Sequence, residues 1–222
     1  MREAEQIEGA WAPGRSPGLL PLDEGGRRSS ATFDPVLEEQ VAEAIGAEAH
    51  ARGANVLLAP TINLLRHPRW GCAQERYGED SFHIGAMAAA FVQGAQNHVI
   101  ASVKHFAVYS IEDTRLTVNV TIDERSLREV YLPHFRRAVE AGAGSVMSAY
   151  NQVNGEYCSE NHHLLSNILA GDWGFDGFVE SDWVFGTHST VASALAGLDV
   201  EMPGSRYYGP PLVARWWPAA SP

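Results

Sequence analysis

Along most of this chain, short apolar runs alternate with segments in which apolar residues recur at the spacing of a helix. Residues 55–60, 99–107 and 145–151 read NVLLAP, VIASVKHFA and SVMSAYN, and each run is apolar almost throughout. Such runs are typical of strands buried on both faces. After each run, apolar residues recur at the spacing of a helix. The alternation predicts an α/β protein with a parallel sheet, and both a doubly wound sheet and a (β/α)8 barrel fit it.

Capping residues mark where the predicted helices begin. Asp34 opens the first helix and Asp80 opens an alanine-rich second one, because an aspartate side chain accepts hydrogen bonds from the first free backbone N–H groups. Asp123 opens a third helix, which Pro133 interrupts and bends. Two shorter helices are predicted over residues 161–169 and 187–196.

The same pattern divides the chain into three parts. Residues 1–30 carry no usable hydrophobic period and are predicted to form an irregular arm. Order is predicted to begin at Asp34, and the chain from there to an irregular tail, residues 210–222, which prolines interrupt, is expected to form one domain. We count about five good strands, whereas a closed barrel needs eight. If the fold is a barrel, this chain is therefore expected to form only part of it.

Composition narrows the classes of partner. The chain has 16 Lys and Arg against 27 Asp and Glu, which argues against a nucleic acid or an anionic membrane as partner. No apolar run approaches the roughly 20 residues of a membrane-spanning helix. The start of the chain lacks the apolar core of a signal peptide, and Cys72 and Cys158 are too few for a disulfide framework. A cytoplasmic location is expected, unless an export signal was lost with the N-terminus.

Polar side chains follow the predicted strands, at the ends where a parallel barrel carries its active site. They are Lys104, His105, Tyr150, Asn151, Asp182, Trp183 and Glu201. Each has a structural explanation on its own, and Asp182 fits the cap of a following helix. Together on one rim they are costly to desolvate unless a ligand needs them. Their donors, acceptors and aromatic rings indicate a polyhydroxylated ligand.

Ordered blocks of sequence carry a resemblance to a known family. They are NVLLAPTINLLRHPRWG, ERYGED, ASVKHFA, the Ile111, Glu112 and Arg115 group, DERSLREVYLPHF, SVMSAYNQVNGEYC, WGFDGFVESDW and AGLDVEMPG. Over about residues 31–209 the chain resembles the N-terminal barrel domain of glycoside hydrolase family 3, of the β-glucosidase and β-xylosidase type. The resemblance implies an α/β fold with an incomplete TIM-type (β/α)8 barrel of parallel strands.

The resemblance also implies an activity, the hydrolysis of O-glycosyl bonds with retention of configuration. Asp182 would be the nucleophile of this reaction. The residues that match sugar-binding positions, or offer an aromatic face to the sugar, are Lys104, His105, Arg115, Tyr150 and Trp183. The implied partner is a small oligosaccharide or glycoside, with no cofactor and no metal. The acid/base carboxyl would come from a second domain beyond residue 222, so the chain would be a fragment.

Several positions depart from the family pattern. Cys72 stands where an arginine usually binds the sugar, and a thiol replaces neither its charge nor its forked donors. Tyr109 stands where asparagine is expected, and Glu180 where the strand normally has valine. Glu180 has the parity of Asp182, so it is expected to point into the barrel and to be costly there or held protonated. Residues 1–30 look unlike the family's early strands.

Three hypotheses compete at this point. The first is a β-glycosidase, as a fragment that lacks the acid/base domain. The second is a degenerate sugar-binding barrel that keeps Asp182 without turnover. The third is a nucleotide or phosphate enzyme, but no GxGxxG opens a helix after a strand and no GxxxxGK[ST] occurs.

Overall fold

A computed structural model describes residues 25–216 of the chain. The predictions made for residues 1–24 and 217–222 lie outside the described residues. The strands are β1 (Val56–Leu57), β2 (Ile100–Phe106), β3 (Asn119–Val120), β4 (Ser145–Ser148), β5 (Gln152–Val153), β6 (Glu156–Tyr157) and β7 (Phe178–Glu180). The α-helices are α1 (Gly25–Ser30), α2 (Pro35–Ala51), α3 (Ser81–Ala95), α4 (Glu124–Ser126), α5 (Pro133–Glu140), α6 (Val191–Ala196) and α7 (Pro210–Trp216).

Four of these strands form a parallel sheet in the order β1-β2-β4-β7. Val200 continues the sheet through a parallel bridge to Glu180. In the register, Lys104 lies beside Met147 and Met147 beside Glu180. The predicted α/β fold with parallel strands is confirmed, and it places the carboxyl ends of β2, β4 and β7 along one edge.

A second, smaller sheet was not predicted. Strands β3 and β5 pair in parallel, and β5 pairs with β6 in an antiparallel hairpin. Asn154, with φ 53°, and Gly155, with φ 98°, make the turn between β5 and β6. The strands are two residues long, so no alternation of apolar and polar positions was available to reveal them.

The predicted caps are confirmed for the main helices. Asp34 accepts hydrogen bonds from Val36 N and Leu37 N, and Asp80 accepts one from His83 N. Asp123 caps α4, but the predicted third helix is divided, with a π-helical turn over Leu127–Tyr131 before α5. The division falls where predicted, because Pro133 has no N–H to continue the ladder.

The remaining helices differ in detail from the prediction. The helix predicted over residues 161–169 is a π-helix over His163–Asp172, and the last one is shortened to α6. Gly197, with φ 105°, ends α6 in the left-handed conformation that glycine accommodates. Short 3-10 turns lie over Ala73–Glu75 and Cys158–Glu160. Among the helices that the structure describes, none has both the length and the apolar character needed to cross a membrane.

Two terminal predictions are wrong within the described residues. Part of the expected irregular arm is helix α1, where Ser30 is buried against Tyr77 and His83. Tertiary contact therefore outweighs the weak helical propensity of this segment. Part of the expected irregular tail is helix α7, whose two prolines, Pro210 and Pro211, lie in the first turn. A proline costs little there, because the first N–H groups of a helix have no partner in the ladder.

The core lies between the sheet and the helices α2, α3 and α5. Ile84, Met87 and Val92 of α3 are fully buried because this helix packs against α2 and α5. Helices α2 and α3 approach so closely that a Cβ on Gly94 would lie 2.1 Å from the carbonyl oxygen of Glu39. This layer of helices covers one face of the sheet and leaves its carboxyl edge for loops.

Candidate active site

Asp182 follows β7 at the carboxyl edge of the sheet and is 6% exposed. Its Oδ1 accepts a hydrogen bond of 2.7 Å from Trp183 N. Its Oδ2 has no hydrogen-bond partner within the described part of the chain. Burial raises the pKa of Asp182 to about 6, although the Trp183 N–H and the Lys104 charge act in the opposite direction. The next helix begins only at Val191, so the alternative that Asp182 caps a following helix is wrong.

The loop after Asp182 turns back on the backbone of the same residue. A Cβ on Gly186 would lie 2.4 Å from Asp182 O and 2.6 Å from Asp182 N. Val184, with φ 66°, belongs to the same turn, and its N–H donates to Met202 O. Only a glycine fits at position 186 without moving the candidate nucleophile.

His105 lies at the end of β2, with Nε2 3.5 Å from Asp182 Oδ2. Burial lowers the pKa of His105 well below its usual value, and the charges of Arg76, Lys104 and Arg115 lower it further. The imidazole is therefore neutral at neutral pH. A neutral imidazole beside an unpaired carboxylate oxygen leaves both groups able to interact with a ligand.

Lys104, Tyr150 and Arg115 surround the same carboxylate. The charge of Lys104 opposes the rise in the pKa of both Asp182 and Glu180. Tyr150 donates a hydrogen bond of 2.8 Å to the carbonyl oxygen of Trp183. The guanidinium carbon of Arg115 lies 5.1 Å from the centre of the Tyr150 ring. The residues predicted to bind sugar therefore converge on Asp182.

Glu112 accepts hydrogen bonds from four side chains of the site, a role that the sequence does not reveal. Its Oε2 accepts from Trp70 Nε1 at 3.1 Å, Tyr109 OH at 3.2 Å and Cys72 Sγ at 3.4 Å, and its Oε1 from Arg115 Nη1. Both unusual residues, Cys72 and Tyr109, therefore contact one carboxylate oxygen. Burial raises the pKa of Cys72 to about 12, so it remains a neutral thiol.

Glu180 points into the barrel, as expected, and is 2% exposed. Its Oε1 accepts a hydrogen bond from the hydroxyl of Ser102, which lies on β2. Burial raises the pKa of Glu180, which favours the protonated form. A hydrogen-bonded, neutral carboxyl is the less costly of the two states expected for this position.

The other polar residues predicted for the rim bond to the protein backbone. Glu201 accepts the backbone N–H groups of Arg206, Tyr207 and Tyr208, and so holds its own loop. Asn151 donates from its amide to Ala107 O. In the part of the chain that the structure describes, no group of His, Cys, Asp and Glu side chains is arranged to hold a metal ion.

The model of the Glycosyl hydrolase family 3 N terminal domain matches residues 1–212. The chain belongs to glycosyl hydrolase family 3. The match includes residues 1–30, so the expectation that this segment is unlike the family is wrong. That segment lacks the hydrophobic periodicity from which a strand or helix is predicted.

Relatives in this family are β-glucosidases. One from Rhizobium radiobacter is 49% identical over 187 residues, which cover 83% of this chain and 23% of the relative. β-Glucosidase 3B from Thermotoga neapolitana, solved in complex with glucose, is 43% identical with a TM-score of 0.79, covering 81% of this chain and 25% of that one. A β-glucosidase from Kluyveromyces marxianus, also in complex with glucose, is 41% identical with a TM-score of 0.83, covering 86% and 23%. The chain spans about a quarter of the length of these relatives.

Proposed function

We propose that this chain carries the sugar-binding part and the nucleophile, Asp182, of a retaining β-glucosidase. The observation that carries the proposal is the environment of Asp182 at a strand end. One of its oxygens is held by a backbone N–H and the other is unpaired beside a neutral His105. The glucose complexes of the family 3 relatives support a sugar as the ligand.

In this proposal Asp182 attacks the anomeric carbon, the glycosidic C–O bond breaks and the aglycone leaves, and water then hydrolyses the covalent glycosyl-enzyme. The donors of Lys104 and Arg115 hold the sugar hydroxyls, the Tyr150 oxygen accepts from one of them, and Trp183 offers its ring. The substrate is a small oligosaccharide or glycoside.

A second carboxyl must protonate the leaving group. Glu112 is held by four donors, and Glu180 is buried within the barrel and bonded to Ser102. Both carboxyls are therefore engaged by groups of the protein itself. The acid/base is therefore proposed to belong to a part of the whole protein outside this chain.

A degenerate sugar-binding barrel is the second candidate, and Cys72 favours it. Its thiol bonds to Glu112 and carries no charge, so this loop offers a bound sugar fewer donors than an arginine would. The two candidates differ in whether Asp182 reacts.

The test is labelling with a 2-deoxy-2-fluoro glucoside that carries a dinitrophenyl leaving group, which needs little protonation. Peptide mass spectrometry is expected to find the sugar on Asp182 in the parent and in Glu201→Gln, and none in Asp182→Asn. Glu201 is the matched control because it follows Val200, which pairs with β7, at the same edge of the sheet. Its carboxylate accepts backbone N–H groups of its own loop and is not expected to react. Label on another carboxylate would overturn the assignment. Glucose binding without any label would favour the degenerate barrel.

A further inference from the structure

Tyr109 follows β2 closely and contacts two aromatic rings of the site. It is 1% exposed. Its ring meets that of His105 at a distance of 5.0 Å between ring centres and an angle of 63°, and that of Trp70 at 5.3 Å and 80°. Both are edge-to-face arrangements, which stabilise a pair of rings beyond the area that they bury. Because Tyr109 is buried, it acts on a ligand only through its neighbours.

The Tyr109 ring is itself held in place by other side chains. Its hydroxyl donates a hydrogen bond of 3.2 Å to Glu112 Oε2, an oxygen that also accepts from Trp70 Nε1. The guanidinium carbon of Arg76 lies 5.9 Å from the centre of the Tyr109 ring and 4.2 Å from that of the Trp70 ring. One carboxylate oxygen therefore joins Tyr109 to Trp70, and the Tyr109 ring has a fixed position against which a neighbour can pack.

The backbone of His105 is fixed, whereas the contacts that the described residues offer to its ring nitrogens are long. His105 N donates to Asn63 Oδ1 at 2.8 Å, and His105 O accepts from Asn63 Nδ2 at 2.7 Å. Its Nδ1 lies 3.4 Å from Asn63 Oδ1, and its Nε2 3.5 Å from Asp182 Oδ2. Hydrogen bonds of this length are weak. The rotation of the imidazole about its side-chain bonds is therefore set mainly by packing.

We propose that Tyr109 is a positioning residue for His105: its ring, anchored through its hydroxyl on Glu112, keeps the imidazole turned so that Nε2 faces Asp182. Without this neighbour the imidazole is free to rotate away from the carboxylate. Asparagine is expected at position 109 from the family pattern, and its side chain offers no ring to the imidazole. The role of His105 in binding a sugar rests on the proposed function, whereas the contact between the two rings does not.

The test is a double-mutant cycle with glucose as the ligand, measured by calorimetry on the 222-residue chain. Tyr109→Leu keeps an apolar side chain but removes the ring and its hydroxyl, and it is expected to weaken glucose binding about fivefold. In the His105→Ala background the same substitution is expected to have no effect, because a residue that acts through His105 couples fully to it. Tyr109→Phe keeps the ring and is expected to bind glucose as the parent does.

NMR of His105, assigned by loss of its signals in His105→Ala, tests the positioning without a ligand. Burial holds the pKa of His105 well below its usual value, and the parent is expected to show nuclear Overhauser contacts between this ring and that of Tyr109. In Tyr109→Leu water reaches the imidazole, so its pKa should rise towards the usual value. Phe135→Leu is the matched control, because Phe135 is equally buried but packs against Phe106 and His134.

Unchanged glucose binding in folded Tyr109→Leu would overturn the proposal, as would an equal loss with and without His105. The absence of Overhauser contacts between the two rings in the parent would also overturn it, and this measurement needs no variant of Tyr109. If Tyr109→Leu does not fold, Tyr109→Met, whose flexible side chain fills gaps, takes its place in the cycle. A parent that binds no glucose, or no label on Asp182, would reject the proposed function, and the NMR of His105 would still decide the positioning.

Discussion

His134, on α5, is expected to make the stability of this protein depend on pH. The residue is 1% exposed, and neither ring nitrogen has a hydrogen-bond partner in the described part of the chain. The ring packs at 4.9 Å from that of Phe135, and its Cα borders Gly85 of α3. Burial alone lowers the pKa of His134 to about 3. The folded protein therefore holds this imidazole neutral.

The size of the effect follows from the difference between the folded and unfolded states. An unfolded histidine has a pKa of about 6.5, so between that pH and about 3 the unfolded chain binds a proton that the folded chain does not. The contribution of His134 to the free energy of unfolding is therefore constant above about pH 6.5. Below that pH it falls by about 1.4 kcal/mol for each pH unit. Between pH 7.5 and 5.0 the loss is about 2 kcal/mol.

His134→Leu removes the titrating group and fills a similar volume without burying polar atoms. Urea unfolding followed by tryptophan fluorescence, repeated from pH 5.0 to 7.5, gives the free energy of unfolding of parent and variant. The advantage of the variant should grow by about 2 kcal/mol as the pH falls across that range. Buried carboxyls with raised pKa values, such as Glu38 and Asp182, contribute equally to both proteins and cancel in the difference.

His98→Leu is the matched control, since His98 is exposed. A pH-dependent gain of the same size in His98→Leu would mean that the effect does not come from burial of the imidazole. Parallel curves for the parent and His134→Leu would refute the reasoning, because they would mean that His134 is protonated to the same extent in both states.

Three further predictions concern the site. Cys72→Arg should tighten glucose binding about tenfold through a charge-assisted hydrogen bond; equal affinities of parent, Cys72→Ser and Cys72→Arg by calorimetry would contradict it. Glu180→Gln should raise the melting temperature at pH 7.5 and not at pH 4. Because folding raises the pKa of Glu180, this residue destabilises the protein as the pH rises above the pKa of the unfolded state. A difference in melting temperature that is constant with pH would count against this prediction. The chain alone should hydrolyse dinitrophenyl glucosides and not cellobiose, since general acid catalysis supplies roughly 10²–10⁴ in rate; efficient cellobiose hydrolysis would show that an acid/base is present.

The sequence predicts contacts that are close along the chain. The Asp34 side chain accepts from residues two and three positions later, and Asp80 from a residue three positions later. An aspartate directly before a helical pattern is therefore enough to identify the cap from the sequence. The strand ends were found for a similar reason, because each apolar run stops at a polar residue.

Contacts between distant segments were not predictable in this way. Asn63 and His105 are 42 positions apart, as are Trp70 and Glu112. Neither pair has a periodic signal, and Arg76 lies in a block that revealed the family without revealing that the side chain is buried. Helix α1 was missed for the same physical reason, since it depends on Ser30 meeting Tyr77 and His83.

Gly186 has a consequence for engineering the specificity of this site. The loop that it belongs to borders Asp182 and Trp183, so it is an obvious segment to randomise when a different sugar or leaving group is wanted. Any side chain at position 186 would overlap the backbone of Asp182, at 2.4 Å from its oxygen. Libraries over this loop should therefore keep glycine at 186 and place their diversity at Phe185, whose side chain is exposed, instead of at Val184, whose φ of 66° few side chains adopt.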